Sequence, residues 1–208
     1  MTKKMVAAYG MSVALLLISI WCGISIGSVS VPISTLWDAE SNPTAYSILW
    51  NIRMPRVILA ALVGAALAIA GAAFQGLLKN PLAATYTLGI SSGASVGAVF
   101  TLSFGVSLPI FGLFTLPIFS MVGAFVTLVV VMGFARLVDR TMKMETLILT
   151  GVIFSSFLGS CISLMIALTG EELRSIMGWI LGSVSMRGWP YVKMILPFVI
   201  IGVLILWL

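Results

Sequence analysis

The sequence predicts an all-α fold, a polytopic bundle of transmembrane helices, and three observations support that prediction. Hydrophobic residues make up 61% of the 208 and charged residues only 8%, whereas about a quarter of the residues in a soluble domain are charged. Six stretches each come close to the roughly 20 apolar residues that cross about 30 Å of hydrocarbon. They are continuously apolar, while a β-barrel needs short alternating strands. We predict spans near residues 5–26, 57–77, 87–104, 115–134, 146–168 and 191–208, in a single domain over residues 1–208.

The first apolar stretch is a retained span rather than a signal peptide. It follows Lys3 and Lys4 and runs for about 22 residues, longer than the usual apolar core of a signal peptide. The basic cluster at residues 136–143 favours a cytoplasmic N-terminus by the positive-inside rule, so the net charge of +5 reflects membrane orientation and not nucleic-acid binding. The loop after the first span then faces outward, where Trp37 and Trp50 suit the membrane interface.

The second span combines two preceding arginines, Arg53 and Arg56, with very few large side chains. Its small residues recur at every fourth position, which lets neighbouring helices approach closely where lipid supplies no drive to associate. Gln75, near the end of this span, is expected to hydrogen-bond a neighbouring helix in preference to lining a path. We predict that the span lies at the centre of the bundle and packs through one stripe: Ala60, Gly64, Ala68, Ala72 and Gly76.

The third and fourth spans follow from helix breakers and glycine spacing. Asn80 and Pro81 end the second helix, and Gly93 and Gly97 are expected to pack the third span closely against the second. Pro109 and Pro117 bracket the next outward turn, after which the fourth span returns to the cytoplasm. The hydroxyl side chains of the third span suit helix packing better than a wet path.

The fifth span offers a candidate pathway face, and a short helix follows it. Ser155 and Ser156 lie on a face of small and hydroxyl residues, which makes them candidates to line a path. The later segment ELRSIMGWIL is too short to cross a membrane but is amphipathic. We predict an outward surface helix near residues 172–181, with Glu171 and Glu172 favouring its first turn.

The chemistry of the chain excludes most catalytic classes. The sequence has no histidine, and none of its six carboxylates lies at mid-span depth, so we predict no catalytic residues, no cofactor and no metal site. The same absence counts against an ion-coupled transporter, which usually holds an acid or histidine within the membrane. No GxxxxGK[ST] loop is present, so any nucleotide hydrolysis would belong to a partner.

Several strings resemble the membrane permease subunits of type II ATP-binding-cassette importers for iron siderophores, haem and vitamin B12. RMPR followed by VGAALAIAGAAFQGLLKNPLA and LGISSGASVG forms the stronger block, and MGWILGSVSMRGW forms the second. The resemblance covers essentially all 208 residues. It implies a bacterial inner-membrane subunit of about ten spans that works as a pair, with two cytoplasmic ATPases and an external binding protein. Because the chain ends within an apolar stretch at Leu208, we expect a truncated sequence holding about six of those spans.

The resemblance also implies roles for individual residues. Arg53 and Arg56 match outward arginines that pair with glutamates of the binding protein; the alternative is that they anchor a helix end. Asn80 and Leu82 match part of a cytoplasmic gate, or act only as a helix stop and an apolar contact. A further gate is expected at Met144, Glu145 and Thr146, although the first two depart from the family's small hydroxyl residues. The outward helix, from Leu173 to Leu181, would lie beside the pathway, with Trp179 and Gly182 matching its pattern.

The expected function is therefore ATP-driven import of an iron siderophore, haem or corrinoid that a binding protein delivers. The alternative is a passive channel or a structural membrane subunit without ATP coupling, which would have no ATPase partner. An integral membrane enzyme is disfavoured by the lack of histidine and of a buried acid pair.

Overall fold

The computed structural model describes residues 3–37, 42–81, 83–169, 173–185 and 187–207, and throughout those residues the regular structure is helical. Eight α-helices follow one another within the described ranges: α1 Lys3–Ser25, α2 Pro43–Ser47, α3 Met54–Leu77, α4 Ile90–Ser103, α5 Thr115–Val138, α6 Met144–Thr169, α7 Leu173–Ile180 and α8 Trp189–Trp207. The predicted all-α class is confirmed.

Five helical stretches of the described chain are long and apolar enough to cross a membrane: Lys3–Ser25, Pro43–Leu77, Gly112–Val138, Met144–Thr169 and Trp189–Trp207. The predicted third span differs from this group, because α4 has only 14 residues. A 3₁₀ turn over Thr85–Leu88 and a left-handed Gly89, with φ +74°, take up the first part of the expected span. Glycine pays no steric penalty there, so the chain can turn sharply into α4.

The loop predicted after the first span, residues 28–56, contains several helical segments in the described residues. A 3₁₀ turn covers Ile33–Leu36, α2 begins at Pro43, and a π-helical turn over Ile48–Arg53 leads into α3 without a break. The side chain of Asn42 accepts a hydrogen bond from the Ala45 N–H at 3.0 Å, and proline at the first helical position costs no hydrogen bond. The second half of this loop is therefore helical and continuous with α3.

The chain divides into two compact units, Met1–Ile69 with Val184–Leu208, and Ala70–Ser183. In the first unit the buried core lies beside α1, where Val31, Ala45 and Leu49 pack together with Ile24 and Ile48 against them. Leu49 is fully buried. The small turns that follow α1 are therefore held by an apolar cluster.

In the second unit, glycines bring α4 close to α5, and another glycine brings α6 close to the 3₁₀ turn over Thr85–Leu88. A Cβ built on Gly97 would meet the carbonyl oxygen of Phe119 on α5, and one built on Gly93 would meet the carbonyl oxygen of Gly123. A Cβ built on Gly151 of α6 would likewise meet the carbonyl oxygen of Thr87. The sequence identified Gly93 and Gly97 as close-packing residues, but their partner is α5 and not the second span.

The short helix α7 confirms the helix predicted near residues 172–181. Its buried residue, Ile176, is fully inaccessible to solvent, and α7 packs against α4 and α6 of its own unit. Gly182, with φ +72°, follows its C-terminus, and the Gly182 N–H donates to the Trp179 carbonyl at 3.0 Å. This is a left-handed helix ending of the kind that glycine favours. The expected contribution of Glu171 and Glu172 to the helix lies outside the described residues.

Candidate functional site

The first predicted docking arginine, Arg53, is buried, with only 7% of its surface exposed. Its Nη1 donates to the carbonyl oxygens of Ile24 at 2.9 Å and Ser25 at 3.1 Å. Its Nη2 donates to the carbonyl oxygen of Val29. The guanidinium therefore lies at the C-terminal end of α1, and in this conformation three of its donors point into its own chain.

The second predicted docking arginine, Arg56, has a different environment. It lies three residues further along, on the first turn of α3, and is half-buried. Its Nε is buried and has no hydrogen-bond partner among the described residues. A guanidinium has further donors on its two Nη atoms, so Arg56 retains hydrogen-bonding capacity toward another molecule. The structure thus separates two residues that the sequence treated as a pair.

The small-residue stripe of α3 is exposed along its whole length, at Ala60, Gly64, Ala68, Ala72 and Gly76. A Cβ added to Gly64 or Gly76 would meet nothing within 4 Å. Within the described chain the stripe is therefore open, and its role as a packing seam stays a prediction. The first three residues of the stripe, Ala60, Gly64 and Ala68, border a groove of about 910 Å³ between α1 and α3. The groove is lined entirely by apolar residues, among them Leu16, Val57 and Ala61.

The predicted inner gate after α3 is a compact turn. The Asn80 N–H donates to the Gln75 carbonyl at 3.2 Å, and the Ala83 N–H donates to the Asn80 carbonyl at 3.1 Å. The side-chain Nε2 of Gln75 donates to the Pro81 carbonyl at 2.9 Å. Gln75 thus stabilises its own turn and not a neighbouring helix, which corrects the prediction. Leu82, the other predicted gate residue, lies outside the described residues.

The second predicted gate, Met144, Glu145 and Thr146, forms the first turn of α6. Met144 and Thr146 are half-buried and Glu145 is exposed. Thr146 Oγ1 lies 3.5 Å from Oδ2 of Asp139, which also accepts from the Lys143 N–H at 3.2 Å. This turn is therefore tied to the preceding loop through one carboxylate.

Asp139 organises the loop between α5 and α6. Its Oδ1 accepts from the Thr141 hydroxyl at 2.6 Å and from the Thr141 N–H at 2.9 Å. These bonds, led by the one from the Thr141 hydroxyl, lower the pKa of Asp139 below its ordinary value of 3.8, because they favour the ionised form. Sequence analysis did not assign this residue a role, although an aspartate two residues before a threonine is a signal for such a turn.

The candidate pathway serines satisfy their hydroxyls inside α6. Ser155 Oγ donates to the Gly151 carbonyl at 2.7 Å, and Ser156 Oγ donates to the Val152 carbonyl at 3.0 Å. Ser160 and Ser163 bond the carbonyls four residues earlier in the same way. Hydroxyls bonded in this way place no unpaired donor on the helix surface. Ser156 is exposed, whereas Ser155 is half-buried against Gly89.

The outward-helix candidates lie at both ends of α7. Leu173 and Gly182 are exposed, and Trp179 is half-buried. Leu173 begins the helix and Gly182 follows it, so the three residues mark out one short amphipathic segment. A role beside a pathway remains a prediction for them.

An aromatic cluster that the sequence did not reveal lies in the first unit. The rings of Trp50 and Trp189 are 5.2 Å apart, and Trp189 Nε1 donates to the Trp50 carbonyl at 2.9 Å. Tyr46 stacks on Trp50 with ring centroids 6.3 Å apart. The residues come from positions 139 apart in the chain, and no local pattern could have paired them. Among the described residues no group of three or more His, Cys, Asp or Glu could hold a metal ion.

Comparison with known proteins places this architecture among transporters. The sequence model of the FecCD transport family matches residues 15–208. The uncharacterized ABC transporter permease protein YvrB of Bacillus subtilis is 55% identical, over 96% of this chain and 60% of that protein. The hemin transport system permease protein HmuU of Yersinia pestis is 33% identical, over 86% of this chain and 55% of that protein.

A solved structure agrees with the sequence comparisons. It shows a metal-chelate type ABC transporter in an inward-facing conformation and superposes with a TM-score of 0.74 at 30% identity. The match covers 94% of this chain and 58% of the solved one. The chain therefore spans between 55% and 60% of the length of these relatives.

Proposed function

The chain belongs to the FecCD transport family, and from this premise we propose that it acts as the membrane permease subunit of an ABC importer. The observation that supports the proposal is the family match over residues 15–208, on a chain with five helical stretches in its described part that can cross a membrane. The N-terminus is cytoplasmic in this proposal, and the protein lies in the bacterial inner membrane.

The distribution of charge supports an external energy source. The chain has no histidine, and its six carboxylates lie at or beyond the ends of the apolar stretches, so no group in their interiors suits the coupling ion of a secondary transporter. It also lacks a nucleotide-binding glycine loop. Two ATPase subunits on the cytoplasmic side would therefore supply the energy, and a second permease copy or homologue would complete the path.

The proposed substrate is a bulky metal chelate: an iron siderophore, haem or a corrinoid. One relative is named for hemin transport, and the solved neighbour is a metal-chelate type transporter. A substrate of this size can pass between helices that present small and apolar residues, without a dense set of charged ligands. The α6 serines, Ser155 and Ser156, and the α7 residues Leu173, Trp179 and Gly182 are candidates for the outer part of that path.

Binding-protein docking and gating would occur at opposite ends of the helices. Arg56, half-buried with open donor capacity, is the proposed contact for a carboxylate of the binding protein, because guanidinium and carboxylate pair in a fork. The inner gate would involve Asn80 and Leu82 together with the first turn of α6, Met144, Glu145 and Thr146. The Asn80 turn and the Asp139 loop give both candidate gate segments a defined hydrogen-bonded form.

Reconstitution tests this function directly. The full-length protein is placed in proteoliposomes with its ATPases, and the binding protein is supplied with labelled ferric siderophore, haem or corrinoid. We expect uptake of one of these that requires both ATP and the binding protein, and that stops when the ATPase carries an inactive nucleotide-binding lysine. Substrate flux without ATP would instead indicate a passive channel, and no uptake of any of the three would reject the importer.

A further inference from the structure

We propose that Arg53 is an internal clamp that fixes the end of α1 to the start of α3, and that Gly27 is the residue that makes room for it. Arg53 is then a positioning residue, because its guanidinium bonds carbonyl groups of its own chain. This inference does not rest on the proposed transport function, because it follows from contacts within one compact unit.

The last carbonyl groups of α1 need hydrogen-bond partners from outside the helix. The last carbonyls of a helix have no partner within the helix, and near hydrocarbon an unpaired carbonyl is costly. Within the described residues α1 ends at Ser25 and none of its residues is buried. Ile24 packs partly against the apolar cluster, but this contact leaves the last carbonyls of the helix without partners. A cation at a helix C-terminus is also favoured by the helix dipole.

Arg53 meets this need with geometry that a lysine could not reproduce. Its Nη1 bridges the carbonyls of Ile24 and Ser25, and its Nη2 reaches Val29 beyond the helix end. A guanidinium offers five donors in a rigid fork, whereas an ammonium is a single point of charge. Three carbonyls, two consecutive and one four residues later, are thus held by one side chain.

Gly27 is the structural counterpart of this arginine. A Cβ built on Gly27 would lie 2.5 Å from Nη2 and 2.7 Å from Cζ of Arg53. Any side chain at this position would therefore push the guanidinium out of its site. Because the displaced group is the far end of a flexible side chain, the rest of the unit need not move.

The π-helical turn explains how Arg53 arrives there. Residues Ile48–Arg53 form a wider turn than an α-helix, and Arg53 closes it immediately before α3. Such turns change which way a side chain points relative to the helix that follows. Arg53 is consequently buried while Arg56, three residues later, is half-exposed. The clamp fixes the first turn of α3 and with it the position of Arg56.

A double-mutant cycle tests the clamp in the intact protein. We compare hydrogen exchange of the peptide covering residues 22–30 in the unaltered protein, Gly27→Ala, Arg53→Ala and the double variant, in nanodiscs. Each single change should raise exchange about tenfold, as expected for losing hydrogen bonds to a charged group. The double variant should exchange no faster than Arg53→Ala, because Gly27 matters only through the guanidinium. Arg53→Lys should restore little protection.

Matched controls separate this effect from a general loss of packing. Gly10→Ala lies on the same helix where a Cβ meets nothing within 4 Å, and Arg56→Ala removes a nearby guanidinium; neither should change exchange at residues 22–30. Unchanged exchange in Gly27→Ala, or purely additive effects in the double variant, would overturn the clamp.

A second measurement needs no variant. Phenylglyoxal modifies accessible guanidinium groups, and mass spectrometry can follow each arginine separately. Arg53 should react far more slowly than the exposed Arg140, with Arg56 faster than Arg53. Equal reactivity of Arg53 and Arg140 would contradict the clamp whether or not the protein transports anything.

Discussion

At the scale of single residues, the role of a polar side chain depends on which group it hydrogen-bonds, and the residue type alone does not show this. The sequence predicted that Gln75 hydrogen-bonds a neighbouring helix, but its side chain donates to the Pro81 carbonyl only six residues away. The α6 serines bond their own helix. Residue type predicted that these groups would need partners but could not distinguish a local partner from a distant one, because both satisfy the same donor.

Asp139→Ala should loosen the loop between α5 and α6. Three donors, the N–H and hydroxyl of Thr141 and the N–H of Lys143, lose their acceptor. Hydrogen exchange of residues 139–147 should accelerate several-fold, whereas Arg140→Ala, an exposed neighbour, should leave it unchanged.

The effect of Asp139 should also depend on pH with a defined sign. Its pKa is lowered in the folded protein, chiefly by the Thr141 hydroxyl, so its contribution is present above the ordinary value of 3.8 and lost as pH falls through the lower folded value. The difference in thermal midpoint between the unaltered protein and Asp139→Ala should shrink below pH 4. A difference that grows on acidification would contradict this assignment.

At the scale of helices, the continuous apolar stretches predicted where the long helices lie, but the sequence did not predict which helices pack together. The stretches around α1, α3, α5, α6 and α8 were predicted within a few residues of their observed ends. The third span was predicted to be longer than α4, which has 14 residues. Composition does not show that Gly89 adopts φ +74° and that the helix begins only after it. The sequence did not predict the π-helical turn over Ile48–Arg53.

Glycine spacing likewise revealed close packing without revealing where it occurs. Two i, i+4 series, Ala60 to Gly76 and Gly89 to Gly97, looked alike in sequence. The first is exposed in this chain, whereas in the second Gly93 and Gly97 pack on the backbone of α5 and Gly89 lies against α6. A small residue allows two helices to approach closely, but this happens only where a second helix lies against it.

Gly97→Ala should therefore be strongly destabilising. The added Cβ would press on the Phe119 carbonyl of α5, a backbone atom that cannot swing aside, and overpacking of this kind costs about 1–3 kcal/mol. Gly133→Ala, on α5 where a Cβ meets nothing within 4 Å, should be neutral or mildly stabilising. Thermal unfolding followed by tryptophan fluorescence in detergent compares the two. Equal midpoints for both variants would show that α4 and α5 are not held this tightly.

At the scale of the whole molecule, charged side chains are few, with eleven basic and six acidic residues on 208. Among the described residues, none lies in the middle of α1, α5 or α6. The division into two compact units was not visible in the sequence, because hydropathy is uniformly high on both sides of it.

Arg56→Glu should weaken association with the binding protein, and more so at low ionic strength, where exposed charges are least screened. We expect the loss to appear mainly in the association rate measured by surface plasmon resonance on nanodiscs. Lys193→Glu, an exposed basic residue on α8, provides a charge-matched comparison. An unchanged association rate for Arg56→Glu would place docking elsewhere on the protein.

The open surface of α1 has an evolutionary consequence. Because no described residue of this helix is buried, we expect any apolar side chain to be accepted at most of its positions. Gly23, where a Cβ would lie 3.0 Å from Val57 Cγ2, and Gly27, just beyond the helix beside Arg53, are the exceptions. In a saturation library of residues 5–27, apolar substitutions should therefore be tolerated at almost every position and not at these two glycines.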